Sequence, residues 1–260
     1  MSQIVVDKNL CKKDGACIDV CPSRSIAFDE QGFPAEDPGH ACILCGHCVA
    51  VCPCNALTHP DLPTEDFEAL PAEFPSPGAM DGLLKSRRSV REFKSVPVSR
   101  ETLLDLFDVA RRAPTASNSQ QVRWIVVDGK SKVLALSQIA VSCLRDAGFR
   151  PALLKAWDDG YDFILRGAPM VVVACAPASY EWGKQDCAIA LTFLELAAEA
   201  RGLGTCWAGY LTRIAAIFPP LRAALGVPEG YEIQGGLMLG EPKYHLRLIP
   251  PRKLLNVQWV

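Results

Sequence analysis

Eight of the twelve cysteines lie within the first fifty-four residues, and seven of them form two runs. The second run reads Cys42-x2-Cys45-x2-Cys48-x3-Cys52-Pro53. The first reads Cys11-x5-Cys17-x3-Cys21-Pro22, with Asp14 standing where one more thiol would complete it. Three thiolates on one tight loop can wrap a cubane of iron and sulfide, and the last thiolate of each run then reaches across to the other cluster. Zinc is the alternative metal for such thiolates, and the paired Cys-Pro endings argue for iron–sulfur. A carboxylate is a harder and weaker iron ligand than a thiolate. Asp14 therefore leaves three outcomes open: an Asp-ligated [4Fe–4S] cluster, a [3Fe–4S] cluster with Asp14 free, or exchange between the two. Asp14-Gly15 also suits an ordinary turn. Cys54 fits neither run.

A second set of chemically capable residues follows at Arg87-Arg88-Ser89-Val90-Arg91-Glu92-Phe93. Guanidinium forks and a hydroxyl suit a phosphate, and cations at the end of a helix are favoured by its dipole; alone, such a run also reads as a solvated basic face. Beyond it lie a polar loop, Ala113 to Gln120, a glycine-rich turn, Gly202-Leu203-Gly204-Thr205-Cys206-Trp207-Ala208-Gly209, and a late basic pair, Arg252-Lys253. No GxGxxG follows a strand and no P-loop is present. The only histidines are His40, His47, His59 and His245, and no Ser–His–Asp set or carboxylate pair stands out. No protein nucleophile is expected.

These residues need elements to hold them. Residues 1–58 are cysteine-rich with little helical periodicity, and residues 59–79 carry five prolines and several acids, which reads as a stiff extended connector. Periodicity begins at Met80. Leu83-Leu84 opens a short helix ending in the basic run, and a second helix spans roughly 100–113 with Leu103, Leu104, Phe107 and Ala110 on one face. Trp124 to Gly129 and Met170 to Ala174 read as strands, the latter fully buried, with a helical stretch between them. A long helix over about 184–201 stops at Gly202, a left-handed cap. Ile233 to Leu239 is a further strand, and the tail ends in an amphipathic Leu255–Val260.

Composition excludes several classes. A net charge of −2 gives no electrostatic case for nucleic acid or an anionic membrane surface. The most apolar segment, 187–200, is interrupted by Glu195 and Glu199, so it reads as a buried helix. Clustered cysteines behind an N-terminus without a basic and apolar leader point to a reducing cytoplasm.

Over residues 1–58 the chain resembles bacterial two-cluster ferredoxins. That resemblance implies one [4Fe–4S] cluster on Cys42, Cys45, Cys48 and Cys21. It implies a second, [4Fe–4S] or [3Fe–4S], on Cys11, Cys17 and Cys52, with Asp14 as a candidate ligand. Over residues 80–260 the four separated motifs resemble the nitroreductase family of FMN enzymes. The fold implied is α+β: a three-layer α/β/α domain around a mixed, mainly antiparallel sheet, behind the 59–79 linker and the small ferredoxin-like domain. Carried over by position, Arg87, Arg88, Ser89 and Arg91 match the segment that holds the ribityl phosphate, and Arg252 completes it. Pro114, Thr115, Ala116, Ser117 and Asn118 match the loop that approaches the flavin from the partner subunit. Trp207, Ala208 and Gly209 match the turn facing the isoalloxazine N5 and O4 edge, where a donor is expected from the Gly209 N–H or the Thr205 hydroxyl. Two departures stand out: Gln120-Gln121-Val122 replaces the family's Gln-Pro-Trp, and Pro250 replaces a basic residue found in some members. A homodimer with FMN at the interface is implied, with the long helix at its centre.

The expectation is a reductase fed by reduced ferredoxin or NAD(P)H, passing electrons from clusters through FMN to a nitroaromatic, quinone or activated alkene. Reductive dehalogenation and flavin-consuming chemistry lie nearby in the family. The rival from another class is a relay that hands electrons to a partner protein, and a third reading is a metal-binding regulator without flavin.

Overall fold

The structure, a computed structural model, describes residues 4–260 and divides into two compact units. The first comprises the chain through Phe74 together with Ser117–Ser119. Its elements are short: β1 (Val5–Val6), α1 (Ala16–Asp19), β2 (Ile26–Phe28), β3 (Pro34–Glu36), α2 (His47–Val51) and β4 (Leu57–Thr58). β1 pairs antiparallel with β4, and β2 with β3. A small core of Ile4, Cys17, Ile26, Val49 and Leu57 joins them. The proline-rich segment is not a bare connector. Phe67 packs on this small core, and His59 and Leu62 form a bridge. Burial of the Phe67 ring is the physical reason the segment folds back.

The second unit contains α3 (Pro77–Ser86), α4 (Arg100–Ala110), β5 (Arg123–Asp128), α5 (Lys130–Asp146) and α6 (Pro151–Asp158). It continues with β6 (Met170–Pro177), α7 (Gly183–Ala200), β7 (Gly204–Trp207), α8 (Gly209–Ile217), α9 (Pro219–Ala224) and β8 (Tyr231–Gly240). The strands form one sheet in the order β5-β6-β8-β7, antiparallel at every pairing. The mixed character comes from a single parallel bridge, Ser89 to Thr205, along the free edge of β7. β6 is buried from Met170 to Ala176, which explains its continuous apolar run. Alternate residues serve opposite faces. Val171 and Val173 join the core under α5, α6, α8 and α9, while Met170, Val172 and Ala174 join that under α4 and α7. Three layers result.

Three readings change. In α4 the buried stripe is Leu103, Leu106 and Ala110, whereas Leu104 is exposed; the i, i+3, i+7 spacing selects the face. The glycine-rich turn is largely strand β7. The tail after β8 has no regular structure, and Leu254, Leu255 and Trp259 are almost fully exposed. Among the described residues no helix is long and apolar enough to cross a membrane.

Gly204 explains why glycine sits inside a strand. A Cβ there would lie 2.5 Å from Val90 Cγ2, so the Arg87–Arg91 segment approaches β7 only over a bare backbone. A Cβ at Gly209 would meet nothing within 4 Å. Gly204→Ala is expected to cost about 1–3 kcal/mol by overpacking, and Gly209→Ala to leave stability within about 0.5 kcal/mol. Denaturant titration compares the two, and equal stabilities would count against this close approach.

Candidate functional site

In the first unit both cysteine loops follow one backbone path. Lys13 (φ 55°) and Gly15 (φ 79°) are left-handed, as are Leu44 (φ 53°) and Gly46 (φ 74°) at the equivalent places. Alternating left-handed residues turn successive N–H groups inward, a concavity that suits anions and iron–sulfur clusters. One cavity is lined by Cys21, Cys42, Cys45 and Cys48, walled by Ile4, Ile26, Ile43 and Leu62, and closed by His59. The other is lined by Cys11, Asp14, Cys17, Cys52 and also Cys54. Among the described residues no three of His, Cys, Asp and Glu converge on a single ion; the thiols surround cavities instead.

The thiols differ in character. Burial pushes the Cys48 thiol up to about 11, reinforced by Cys45 and Cys42, and burial likewise raises Cys17. At Cys21 burial acts upward too, but hydrogen bonds with Ser25 and Ser23 outweigh it and the thiol is lowered. Iron binding must displace whatever protons remain. Asp14 Oδ1 accepts from the Ala16 N–H at 3.1 Å, so its carboxylate also starts the α1 turn. Cys54 Sγ lies 3.9 Å from Cys52 Sγ. No sequence spacing marked Cys54; its position on the cavity wall does.

In the second unit the organising residue is Glu195 on α7, which is buried. Its Oε1 accepts from Thr205 Oγ1 at 2.9 Å and from Arg87 Nη1 at 3.4 Å, and its Oε2 accepts from Trp207 Nε1 at 3.2 Å. One carboxylate thus joins the basic segment to the β7 end. The Thr205 hydroxyl is engaged by Glu195 and is 2% exposed, so it does not serve as a donor to a ligand. The Ala208 N–H donates to the Gly236 carbonyl at 2.8 Å. Gly209 is the first residue of α8, where N–H groups lack intrahelical acceptors. Of the two donors expected at that turn, the Gly209 N–H is thus the one without an acceptor inside its own helix.

Arg88 donates to the carbonyls of Lys85 (2.8 Å) and Arg87 (2.7 Å), and its Nη2 to that of Pro250 (3.4 Å). Arg88, Ser89 and Arg91 line a cleft of about 290 Å³ with Tyr244 and His245. Arg252 is exposed and does not line that cleft. A second cleft of about 300 Å³ is lined by Trp207, Gly209 and Tyr210 and by four arginines, Arg91, Arg150, Arg166 and Arg213, with no carboxylate in its wall. Arg166 is held by the Tyr161 hydroxyl at 2.8 Å and stacks over Phe163.

The loop after α4 divides. Pro114, Thr115 and Ala116 stay with the second unit, where the Ala116 N–H donates to both Asp186 oxygens at 3.3 Å and Thr115 Oγ1 accepts from Gln120. Tyr180 completes the anchor by donating to Asp186 Oδ2 at 2.6 Å. Ser117 and Asn118 group with the first unit, and the Asn118 Nδ2 donates there to the carbonyls of Ile43 (3.1 Å) and Leu44 (2.9 Å). Asp186 and Glu195 are both buried on α7. Nine residues apart, about two and a half turns, they face opposite ways. Their signal in the sequence is two acids inside an apolar helix, which a core tolerates only when they are paired.

Residues 84–241 match the model of the nitroreductase family, and residues 3–53 that of the 4Fe-4S dicluster domain. The first unit is similar to ferredoxin 7Fe of Hydrogenibacillus schlegelii, 35% identical over 69 residues, which are 26% of this chain and 86% of the ferredoxin. The second is similar to nitrobenzene nitroreductase of Ectopseudomonas oleovorans, 26% identical over 203 residues, 64% of this chain and 88% of the relative. Among solved structures, a nitroreductase with bound FMN from Desulfitobacterium hafniense aligns with a TM-score of 0.57 at 26% identity, over 68% of this chain and 96% of that one.

Proposed function

Because this chain belongs to the nitroreductase family and carries a 4Fe-4S dicluster domain before its flavoenzyme domain, we propose that it is a reductase fed through its own iron–sulfur clusters. Electrons enter from reduced ferredoxin or NAD(P)H, pass through the clusters to FMN, and leave to a nitroaromatic, quinone or activated alkene. The observation that carries this reading is the presence, in one chain, of two thiol-lined cavities and a cation-lined cleft beside Trp207 and Gly209.

Bound FMN supplies a carrier that handles electrons singly or in pairs, and the clusters pass them singly. Cys21, Cys42, Cys45 and Cys48 would hold a [4Fe–4S] cluster. Cys11, Cys17 and Cys52 would hold the other; the name of the seven-iron relative supports one [3Fe–4S] cluster in such a pair, and the cavity in which Asp14 stands for a thiolate is the one that would hold it. Arg88, Ser89 and Arg91, which line one cleft, would bind the FMN phosphate, and Arg87 would hold the segment against Glu195. The Gly209 N–H would face the ring edge, with Trp207 and Ala208 fixing its turn. Arg150 and Arg213, in the wall of the cleft beside Trp207 and Gly209, would donate to nitro, quinone or carbonyl oxygens, where negative charge grows on reduction. The exposed apolar tail, with Leu248, Leu254 and Trp259, suits a segment that packs on a second copy, as a homodimer with FMN at its interface requires. Twelve unbridged thiols suit a reducing cytoplasm.

Anaerobic purification followed by donor profiling tests the proposal. The expected protein shows flavin bands over a broad iron–sulfur absorbance. Cluster bleaching should precede flavin bleaching, and small acceptors should reoxidise both. Slow reoxidation by every small molecule would favour a relay to a partner protein. Flavin reduction with the clusters still oxidised would refute the proposed path.

A further inference from the structure

His59 is 3% exposed and lines the same cavity as Cys21, Cys42, Cys45 and Cys48. Its two ring nitrogens have unequal surroundings. Nδ1 accepts a hydrogen bond from the Asp61 backbone N–H at 3.1 Å. A backbone amide can only donate, so Nδ1 carries the lone pair and the neutral ring keeps its proton on Nε2. That Nε2–H is the one buried side-chain nitrogen or oxygen without a partner among the described residues. An unmade hydrogen bond on a buried donor is costly, so the protein has a reason to supply an acceptor. The cavity wall beside it is otherwise four thiols and aliphatic side chains, with Ser23 and Ser25 engaged at Cys21.

We propose that His59 donates an Nε2–H hydrogen bond to a sulfur of the cluster held in this cavity and thereby raises that cluster's reduction potential. The proposal rests on the cluster assignment above. The sign follows from charge. Adding an electron makes the sulfurs more negative, and a fixed N–H strengthens its bond to them, so the reduced state gains more than the oxidised one. Ligation of iron by His59 is disfavoured by the same geometry. A ligating Nε2 needs its lone pair, which would move the proton to Nδ1 and point it at the Asp61 N–H. His59 is therefore a positioning and tuning residue, and it is not counted among the ligands.

The test is an EPR-monitored redox titration of the full-length, cluster-loaded protein, comparing wild type with His59→Leu and His59→Gln. His59→Leu is expected to make this cluster about tenfold harder to reduce, a fall of about 59 mV for one electron. The other cluster and the flavin should not move. His59→Gln restores an N–H and should recover part of the loss. The sign separates this role from a packing role, because water entering a loosened cavity raises the potential. An unchanged or raised potential in His59→Leu overturns the proposal. Pulsed EPR with 15N-histidine adds a check if a variant loads poorly. Wild type should show a weak histidine coupling typical of a hydrogen bond, and a strong coupling typical of a ligand, or none, would also overturn it. Wild-type protein without iron in this cavity would sink the cluster assignment itself; iron present with an unmoved potential would sink only the role of His59.

Discussion

Glu195→Gln is expected to lose about 3 kcal/mol of stability and to hold FMN at least tenfold more weakly than the wild type. The substitution keeps shape and removes one acceptor. Three donors converge on the two oxygens of Glu195: Arg87 Nη1 and Thr205 Oγ1 on one, Trp207 Nε1 on the other. A glutamine offers one oxygen and one NH2, so in either orientation a donor faces a donor. Arg87 also loses its buried counter-charge, and breaking one side of such a pair typically costs about 3–5 kcal/mol. Partial exposure of the Arg87 side chain argues for the lower end. Denaturant unfolding measures the first effect and flavin fluorescence on dilution the second. A variant with stability and flavin retention close to the wild type would show that Glu195 is not the junction of this site.

Cys45→Ala is expected to remove about four irons per chain, the content of one cubane, while FMN content stays at the wild-type level. Cys45 lines only the cavity that also holds Cys21, Cys42 and Cys48. Cys17→Ala should empty the other cavity and leave the first loaded. Iron and sulfide analysis of the wild type then decides the Asp14 question: about seven irons for a [3Fe–4S] partner, about eight for two cubanes. If seven are found, Asp14→Ala should change neither total. Parallel loss of FMN in Cys45→Ala would show that the domains do not load independently.

Much of this architecture is readable from residue order, and the failures share a cause. β6 was legible because a strand buried on both faces needs no alternation, and Met170 to Ala174 is unbroken apolar sequence. The stop of α7 was legible because Gly202 sits at φ 72°, which a glycine adopts without strain. β7 was not. Two glycines near its start read as a turn, yet Gly204 is there to let Val90 approach, a contact made from more than a hundred residues away. Glu195 appeared only as a break in an apolar run, since its three partners are assembled by tertiary structure. Cys54 and His59 escaped for the same reason. Neither has a spacing that signals chemistry, and each acquires its place from a cavity wall.

The Glu195 junction also has a temporal side. Thr205 and Trp207 lie ten and twelve residues from Glu195, but Arg87 lies 108 away. Contacts across short loops close quickly, and long-range ones wait for the chain to be brought together. The α7–β7 corner can therefore mature as a local hairpin of helix and strand while the arginine strap is still searching. During synthesis the strap leaves the ribosome first and must stay unattached until α7 follows it. In the proposed function, the segment that would grip FMN thus closes backward along the chain, after α7 and β7 are in place.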